Sequence, residues 1–195
     1  MATVTALRER SDGRVAVDVD GAPWRVVPVG VVVRSRLAVG RTLDRESLRT
    51  LRRELRRSEA LNAAARTLQA QDRSRRELDD RLARADIAPT TRAEALAVLE
   101  RNGLIDDMRF AESRAAALAA RGYGDAAISA DLGRRGVDDA AVRRAIDALP
   151  AEVERAAAVI TRRGHGCRTA RYLASKGFSE DAIEAASGAD FASDL

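Results

Sequence analysis

A short phrase built around glycine occurs twice and constrains the fold more than any other feature of this sequence. It is Arg135-Gly136-Val137-Asp138 at one place and Lys176-Gly177-Phe178-Ser179 at another. A glycine can end a helix in the left-handed conformation, the next apolar residue can pack at the corner, and Asp or Ser can cap the following helix. The phrase therefore predicts two helix–turn–helix corners of the same design.

The apolar positions around these corners also repeat. A shift of 50 residues places Leu78 on Ile128 and Leu82 on Leu132, and a shift of 41 residues places Leu132 on Leu173. Such repetition is typical of stacked helical units. The sequence predicts a mainly α fold of tandem three-helix repeats that form an elongated, curved body. The alternative is coincidence in a chain rich in Leu and Ala.

We expect an N-terminal β element followed only by helices. Three alternating stretches, 3–7, 14–19 and 24–29, predict a hairpin and a third strand. Trp24 is expected to anchor this element on the first helices, with base stacking as the alternative. From Leu43 onward the apolar spacing is helical, with Asp44 as the predicted N-cap of the first helix. The segment from Ser74 to Glu77 predicts a capping box at the start of a later helix. The predicted boundaries are 1–43 for the β element, 44–57 for a connecting helix, 58–102, 107–149 and 151–187 for the repeats, and 188–195 for an acidic tail.

Asp106 and Asp107 are adjacent carboxylates, which raises the question of a catalytic or metal-binding pair. They follow Gly103, a natural helix terminator, and precede Phe110 at the start of a helical apolar spacing. Asp107 is predicted to be the N-cap, with Asp106 near the same positive helix end. No His, Cys or third carboxylate lies nearby at ligand spacing. The pair is therefore predicted to start a helix and not to carry chemistry.

The other reactive side chains predict no catalytic site, metal or cofactor. His165 and Cys167, the only histidine and the only cysteine, lie in one glycine-containing turn, and two ligands are too few for a zinc site. The sequence has no phosphate-binding loop, HExxH or paired CxxC motif. The single cysteine, the lack of a long apolar run and the polar N-terminus predict a cytoplasmic protein without a membrane span.

Basic side chains concentrate in two zones. Residues 41–84 carry thirteen basic and eight acidic side chains, and residues 150–178 carry six and two, whereas residues 179–195 carry five acidic and no basic ones. Such zones attract a nucleic-acid backbone or an acidic protein face, and the alternative is a solvated helix face. The candidate contact residues are Arg73, Arg75, Arg76, Arg81 and Arg84 in the first zone, Arg162, Arg163, Arg168, Arg171 and Lys176 in the second, and Tyr123, for which contact and packing are both open.

Several segments resemble, in their order and spacing, the RecX family of regulatory proteins. They are Ser74-Arg75-Arg76-Glu77-Leu78, Gly103-Leu104-Ile105-Asp106-Asp107, Gly122-Tyr123-Gly124 and Arg135-Gly136-Val137, within a resemblance that covers about 60–187. The resemblance implies three-helix repeats that bind the RecA recombinase, occupy the groove or the end of the RecA–DNA filament, and inhibit strand exchange, ATP hydrolysis and co-protease activity. The third repeat departs from the pattern at Thr169, where the earlier repeats have Leu78 and Ile128.

We therefore expect a monomeric, non-enzymatic regulator of homologous recombination and DNA repair. Its expected partners are RecA and the RecA–DNA filament, with single- or double-stranded DNA as a further direct partner. Two alternatives stay open. The chain could be a stand-alone nucleic-acid-binding module, or an adaptor for another protein in which the basic zones serve only solubility.

Overall fold

Strands are confined to the first 43 residues of the computed structural model, which describes residues 2–188, and helices dominate the rest. The strands are β1 (Ala2–Glu9), β2 (Arg14–Val19), β3 (Ala22–Pro28) and β4 (Thr42–Leu43). The helices are α1 (Val29–Arg34), α2 (Arg45–Ala70), α3 (Arg75–Arg84), α4 (Pro89–Arg101), α5 (Asp107–Ala120), α6 (Asp125–Arg134), α7 (Asp139–Asp147), α8 (Glu152–Arg163), α9 (Cys167–Ser175) and α10 (Glu180–Ser187). The predicted mainly α fold with an N-terminal β element is confirmed.

The described chain forms two compact units. The first contains residues 2–71 and 78–104, and the second contains residues 72–77 and 105–188. The predicted acidic tail at 188–195 lies outside the described residues except for Gly188.

The N-terminal strands form one antiparallel sheet in the order β3-β2-β1-β4. Val4, Val17 and Val27 lie on its buried face, where Val31 of α1 and Leu51 of α2 complete the cluster. Val15 and Val17 of β2 are buried on either side of the less buried Ala16, as the sequence alternation predicts for a sheet covered on one face. The hairpin and the third strand are therefore confirmed.

Three features of this element differ from the prediction. The third strand was expected to extend to Val29, but it ends at Pro28, and α1 begins at Val29. β4 is only two residues long and pairs with Ala2 and Thr3. It is too short to show an alternation of apolar and polar residues from which it could be predicted. Trp24 is 42% exposed on the edge strand β3, so the prediction that it anchors the sheet on the helices is wrong.

Helix α2 is continuous over 26 residues. It starts as predicted at the N-cap Asp44, whose carboxylate accepts a hydrogen bond from the Ser47 amide at 2.7 Å. The sequence pattern placed a new start near Ser58, but this residue lies inside the helix with its side chain buried. The prediction of a break at Ser58 is wrong, because no glycine or proline interrupts residues 45–70.

The helices after the sheet come in groups of three, α2–α4, α5–α7 and α8–α10, which confirms the predicted three-helix repeats. In the second unit the α5–α7 group has a core that includes Leu118, Ile128 and Leu132. The α8–α10 group has a smaller core that includes Leu173 and Phe178. The periodic apolar positions found in the sequence are thus the positions that these cores bury.

The two glycine corners have the predicted design. Gly136 and Gly177 have φ values of +77° and +80°, a region that side chains with a Cβ rarely adopt. After each glycine, a cap accepts amide hydrogen bonds from the next helix: Asp138 from Ala140 and Ala141, and Ser179 from Ala182.

Asp106, and not Asp107, is the N-cap of α5. The Asp106 carboxylate accepts a hydrogen bond from the Arg109 amide at 3.0 Å, whereas Asp107 is the first helical residue. The capping role of the pair is confirmed, but the two residues were assigned in the wrong order. The Asp107 carboxylate instead accepts a hydrogen bond from the Arg75 amide at the start of α3.

Candidate nucleic-acid interface

Residues 72–77 hold the start of α3 against the corner that follows α6 within the second unit. The Ser74 hydroxyl donates a hydrogen bond to the Arg135 carbonyl at 2.5 Å and is fully buried. The same hydroxyl accepts from the Glu77 amide at 3.2 Å, while the Glu77 carboxylate accepts from the Ser74 amide, which confirms the capping box in the sequence. The Arg75 amide donates to the Asp107 carboxylate at 2.7 Å.

The same arrangement recurs fifty residues later at the start of α6. Here the Gly124 amide donates to the Lys176 carbonyl at 2.9 Å, just as the Ser74 hydroxyl donates to the Arg135 carbonyl at the start of α3. The Asp125 amide donates to the Glu152 carboxylate at 2.6 Å, and the other oxygen of Glu152 accepts from the Ser179 hydroxyl at 2.6 Å. One carboxylate therefore satisfies donors at the starts of both α6 and α10.

Arg155 of α8 fixes the loop that carries Tyr123. Its guanidinium donates to the Tyr123 carbonyl at 2.9 Å, pairs with the Asp125 carboxylate, and lies 5.8 Å from the centre of the Phe178 ring. Burial raises the pKa of Asp125, and the positive charge of Arg155 opposes that change. The backbone of Tyr123 is thus held in place beside the Lys176 corner.

Five side chains form what we call the tyrosine–cation cluster: Arg121, Tyr123, Arg163, Tyr172 and Lys176. The Lys176 ammonium lies 4.3 Å from the centre of the Tyr123 ring and 5.7 Å from that of Tyr172. The Arg163 guanidinium lies 3.9 Å from the centre of the Tyr172 ring, and Arg121 lies 5.7 Å from that of Tyr123. Cations at these distances are attracted to the ring faces, so the cluster alternates positive charge and aromatic surface.

An open groove lies beside this cluster, between the end of α5, α8 and α9. Its lining is Ala120, Arg121, Gly122, Val159, Arg162, Arg163 and Tyr172, which includes three arginines and no carboxylate. A guanidinium group can donate hydrogen bonds to two phosphate oxygens at once, and a partly exposed tyrosine ring can stack on a base. The groove therefore has the chemistry that a strand of nucleic acid requires.

The candidates of the second basic zone fall into two sets. Arg162, Arg163 and Lys176 belong to the groove or to the tyrosine–cation cluster, together with Tyr123, whose ring packs on the α5–α7 core and also contacts Lys176. Arg168 and Arg171 lie exposed on α9 but are not among the residues that line the groove. The structure thus shows that the Tyr123 ring packs against the α5–α7 core and that it also lies beside the Lys176 cation.

The candidates of the first basic zone divide between the two units. Arg81 and Arg84 belong to the first unit, where the Arg81 guanidinium donates to the Thr67 hydroxyl at 3.2 Å. Arg73, Arg75 and Arg76 belong to the second unit, and none of these three lines the groove beside the tyrosine–cation cluster. The Arg73 guanidinium lies 3.7 Å from the Glu77 carboxylate.

Arg76 has a packing contact that the sequence did not suggest. A Cβ built on Gly136 would lie 2.1 Å from the Cδ of Arg76, so the side chain of Arg76 lies directly over the glycine of the corner. The aliphatic part of Arg76 therefore covers the corner, while the residue as a whole remains exposed.

An ion-pair network lies next to this corner. Asp131 accepts hydrogen bonds from Arg114 and Arg135, both at 2.9 Å, and Arg135 also pairs with Glu77. The hydrogen bond from Arg114, followed by that from Arg135, lowers the pKa of Asp131 to about 2. The hydrogen bond to Asp131 raises the pKa of Arg135. This network has a structural role, because its charges neutralise one another.

Sequence reasoning missed Arg121 and Tyr172. Arg121 lies outside both basic zones, and Tyr172 lies among the apolar positions of α9, where it was not considered as a contact residue. A signal was available: Arg121-Gly122-Tyr123 and Arg171-Tyr172 each place a tyrosine close to an arginine. Only the fold, however, brings Tyr123 and Tyr172 to the same lysine.

Two kinds of site find no support in the described part of the chain. Within residues 2–188 no group of three or more His, Cys, Asp or Glu side chains is arranged to hold a metal ion. No helix in this range has the length and apolar character needed to span a membrane.

Comparison with known proteins connects these features to one family. Residues 106–146, which contain α5, α6 and all but the last residue of α7, match the family model described as RecX, second three-helix domain. A regulatory protein RecX from Halorhodospira halophila is 36% identical over 145 residues, which is 68% of this chain and 89% of that protein. A regulatory protein RecX from Stenotrophomonas maltophilia is 33% identical over 129 residues, which is 61% of this chain and 79% of that protein.

Solved structures show the same fold. A crystal structure of a regulatory protein RecX aligns with a TM-score of 0.82 at 21% identity, covering 94% of this chain and 98% of the other. The crystal structure of RecX from Lactobacillus salivarius aligns with a TM-score of 0.61 at 27% identity, covering 67% of this chain and 94% of the other. The sequence relatives and the repeated three-helix groups lead to one conclusion: this chain belongs to the RecX family of regulatory proteins.

Proposed function

We propose that this protein binds the RecA recombinase filament and inhibits its strand exchange, ATP hydrolysis and co-protease activity, thereby regulating recombination and DNA repair. The observation that carries the proposal is the family membership, supported by 36% identity over most of a RecX chain. In this proposal the protein acts by docking, as a monomer in the cytoplasm. Any change in ATP turnover then occurs at the active site of the partner.

The tyrosine–cation cluster is the part of the surface that best fits the nucleic acid in such a filament. Arg162 and Arg163 supply charge in the groove, and Arg163 is already oriented against Tyr172 at 3.9 Å. Because the Arg163 and Lys176 cations are positioned by ring contacts before binding, less side-chain freedom is lost when phosphate arrives. Arg168 and Arg171 extend the positive surface of the same zone along α9.

The first test is the DNA-dependent ATPase of RecA. Adding this protein in increasing amounts to RecA on single-stranded DNA should lower the ATPase rate, and co-sedimentation should find the protein with the filament. An unchanged ATPase rate at severalfold molar excess over RecA contradicts the proposal.

The groove is tested by reversing the charge of two adjacent arginines. The double variant Arg162→Glu and Arg163→Glu should bind the filament far more weakly, because it replaces phosphate-binding cations with anions. The matched control is Arg143→Glu with Arg144→Glu, another exposed adjacent pair near the end of a helix, on α7. An equal loss in both variants would show that only net charge matters.

A stand-alone nucleic-acid-binding module is the second candidate function, and the same cluster favours it. Tyr172 beside the groove offers a base-stacking surface that needs no protein partner. Under this alternative, the protein binds bare single-stranded oligonucleotides as tightly as RecA-coated ones and leaves the ATPase rate unchanged. The ATPase rate, together with a comparison of binding to bare and RecA-coated oligonucleotides, therefore separates the candidates.

A further inference from the structure

A second cationic surface lies on the first unit, on the outer face of α2. Arg49, Arg52 and Arg56 are exposed and follow the spacing of one helix face. They line an open groove with the start of α4, together with Arg53. None of these arginines belongs to the tyrosine–cation cluster, which lies in the second unit.

The charges of this row are not neutralised within the protein. On the neighbouring face of α2, the buried carboxylate of Glu54 attracts Arg34 at 2.7 Å, Arg53 at 3.8 Å and Arg57 at 3.9 Å. Within residues 2–188, by contrast, the guanidinium groups of Arg49, Arg52 and Arg56 have no ion pair or hydrogen bond. Three cations on one helix face that form no ion pair repel one another, so the surface is complementary to an anionic ligand.

The opposite wall of the groove is compatible with an anion. Thr90 lies there exposed, next to the buried Thr91, and Glu94 is the single acidic residue of the lining. The nearby Arg92 is directed elsewhere, because its guanidinium donates to Asp79 at 2.8 Å and to the Ile87 carbonyl at 2.9 Å. The groove therefore contains more positive than negative charge even when Glu94 is counted.

The spacing of the row favours a regular polyanion over a single small ion. From Arg49 to Arg56 the α2 axis rises by about 10 Å, at roughly 1.5 Å per residue. Duplex DNA carries about one negative charge per 1.7 Å of its axis, so a row of this length faces several phosphates. No aromatic residue lines the groove, so it lacks a surface on which an unpaired base could stack.

We propose that Arg49, Arg52 and Arg56 form a second nucleic-acid contact, which holds the sugar–phosphate backbone of duplex DNA without reading its sequence. The contact is independent of the tyrosine–cation cluster and does not require RecA. Arginine suits the role because its planar guanidinium binds two phosphate oxygens at once.

The test is the salt dependence of duplex binding by the full chain. Fluorescence anisotropy with a labelled duplex oligonucleotide, between about 50 and 200 mM salt, gives the slope of log affinity against log salt concentration. The triple variant Arg49→Gln, Arg52→Gln, Arg56→Gln should bind more weakly at every salt concentration. Its slope should be shallower by about three, since each phosphate-binding arginine contributes about one. A slope equal to that of the unaltered chain, or no duplex binding by the unaltered chain, overturns the proposal.

A matched control removes three charges elsewhere. Arg25, Arg143 and Arg144 are exposed and do not line this groove. The variant with all three changed to Gln has the same net charge as the test variant, and it should keep the slope of the unaltered chain. An equal decrease of the slope in both variants overturns the proposal in favour of a net-charge effect.

Two further measurements keep the result interpretable. If the triple variant unfolds, as judged by circular dichroism, the single variants Arg49→Gln and Arg52→Gln replace it, each with an expected slope decrease of about one. Competition with polyglutamate tests an acidic protein face, and displacement of duplex DNA by polyglutamate at equal charge concentration overturns the assignment to phosphate. Failure of the RecA proposal would appear separately, as an unchanged ATPase rate with an intact duplex-binding slope.

Discussion

Asp107 and Glu152 make the same contact in successive repeats. Each lies at the first position of a helix, α5 or α8, and accepts a hydrogen bond from the first amide of another helix. Asp107 accepts from Arg75 of α3 at 2.7 Å, and Glu152 accepts from Asp125 of α6 at 2.6 Å. A carboxylate at this place satisfies an amide that the helix itself leaves without a partner. The repeat in the sequence is therefore also a repeat of a polar contact.

Replacing Glu152 by Ala should lower the free energy of unfolding by about 2 kcal/mol, since hydrogen bonds to a charged group are among the stronger ones. The variant loses the acceptor for Asp125 and for the amide and hydroxyl of Ser179. Urea denaturation measures the change. Glu154→Ala is the control, because Glu154 is in the same first turn of α8 but exposed. Equal losses in the two variants would contradict a specific role for Glu152.

The repeated contact also shows how far sequence reasoning could reach. The corners at Gly136 and Gly177, the caps Asp138 and Ser179, and the capping box of Ser74 follow from local chemistry and were predicted correctly. These features depend only on residues within one turn of each other. Local rules therefore suffice for them.

Features that depend on distant residues were missed or misplaced. β4 exists only because it pairs with Ala2 and Thr3, and Asp107 has its role only because Arg75 lies beside it. Tyr172 became part of the candidate site because folding places Lys176 between two rings. A pattern along the chain contains no information about such pairs until the fold is known.

The stability of the second unit should fall in acid through Asp131. Its folded-state pKa of about 2 lies below the ordinary value of 3.8, so the ionised form stabilises the fold above about pH 4, and this contribution is lost as pH falls toward 2. The shift corresponds to about 2 kcal/mol at most, for a side chain that is 16% exposed. Asp131→Asn should therefore be less stable than the unaltered protein at pH 6 and nearly equal to it near pH 2.

Urea denaturation at several pH values checks this dependence. Arg114→Gln removes the strongest of the hydrogen bonds that lower this pKa, so it should reduce the pH dependence in the same range. A stability difference between Asp131→Asn and the unaltered protein that stays constant from pH 6 to pH 2 would refute the assignment.

Gly177 should be less tolerant of substitution than Gly103, although both have positive φ values, +80° and +67°. A Cβ at 177 would lie 2.6 Å from the backbone nitrogen of Ala127, whereas a Cβ at 103 would have no neighbour within 4 Å. Gly103→Ala should lower the free energy of unfolding by about 1–2 kcal/mol, the cost of the left-handed conformation. Gly177→Ala adds an overlap with backbone and should cost about 1–3 kcal/mol more. Urea denaturation that gave equal losses would show that the corner of α9 and α10 moves freely away from α6.

The ring of Tyr172 should contribute to binding of single-stranded nucleic acid more than to binding of duplex. Tyr172→Leu keeps an apolar side chain against the α8–α10 core but removes the π surface beside Arg163 and Lys176. Base stacking on an aromatic side chain is worth about 1–3 kcal/mol, so affinity for a single-stranded oligonucleotide should fall roughly 5- to 150-fold. Anisotropy titrations with single-stranded and duplex oligonucleotides measure both affinities.

Tyr172→Phe retains the ring and should bind as the unaltered protein does. Because the α2 row has no aromatic lining, duplex binding should change little in Tyr172→Leu. An equal loss for both nucleic acids would mean that Tyr172 serves only to position Arg163 and Lys176.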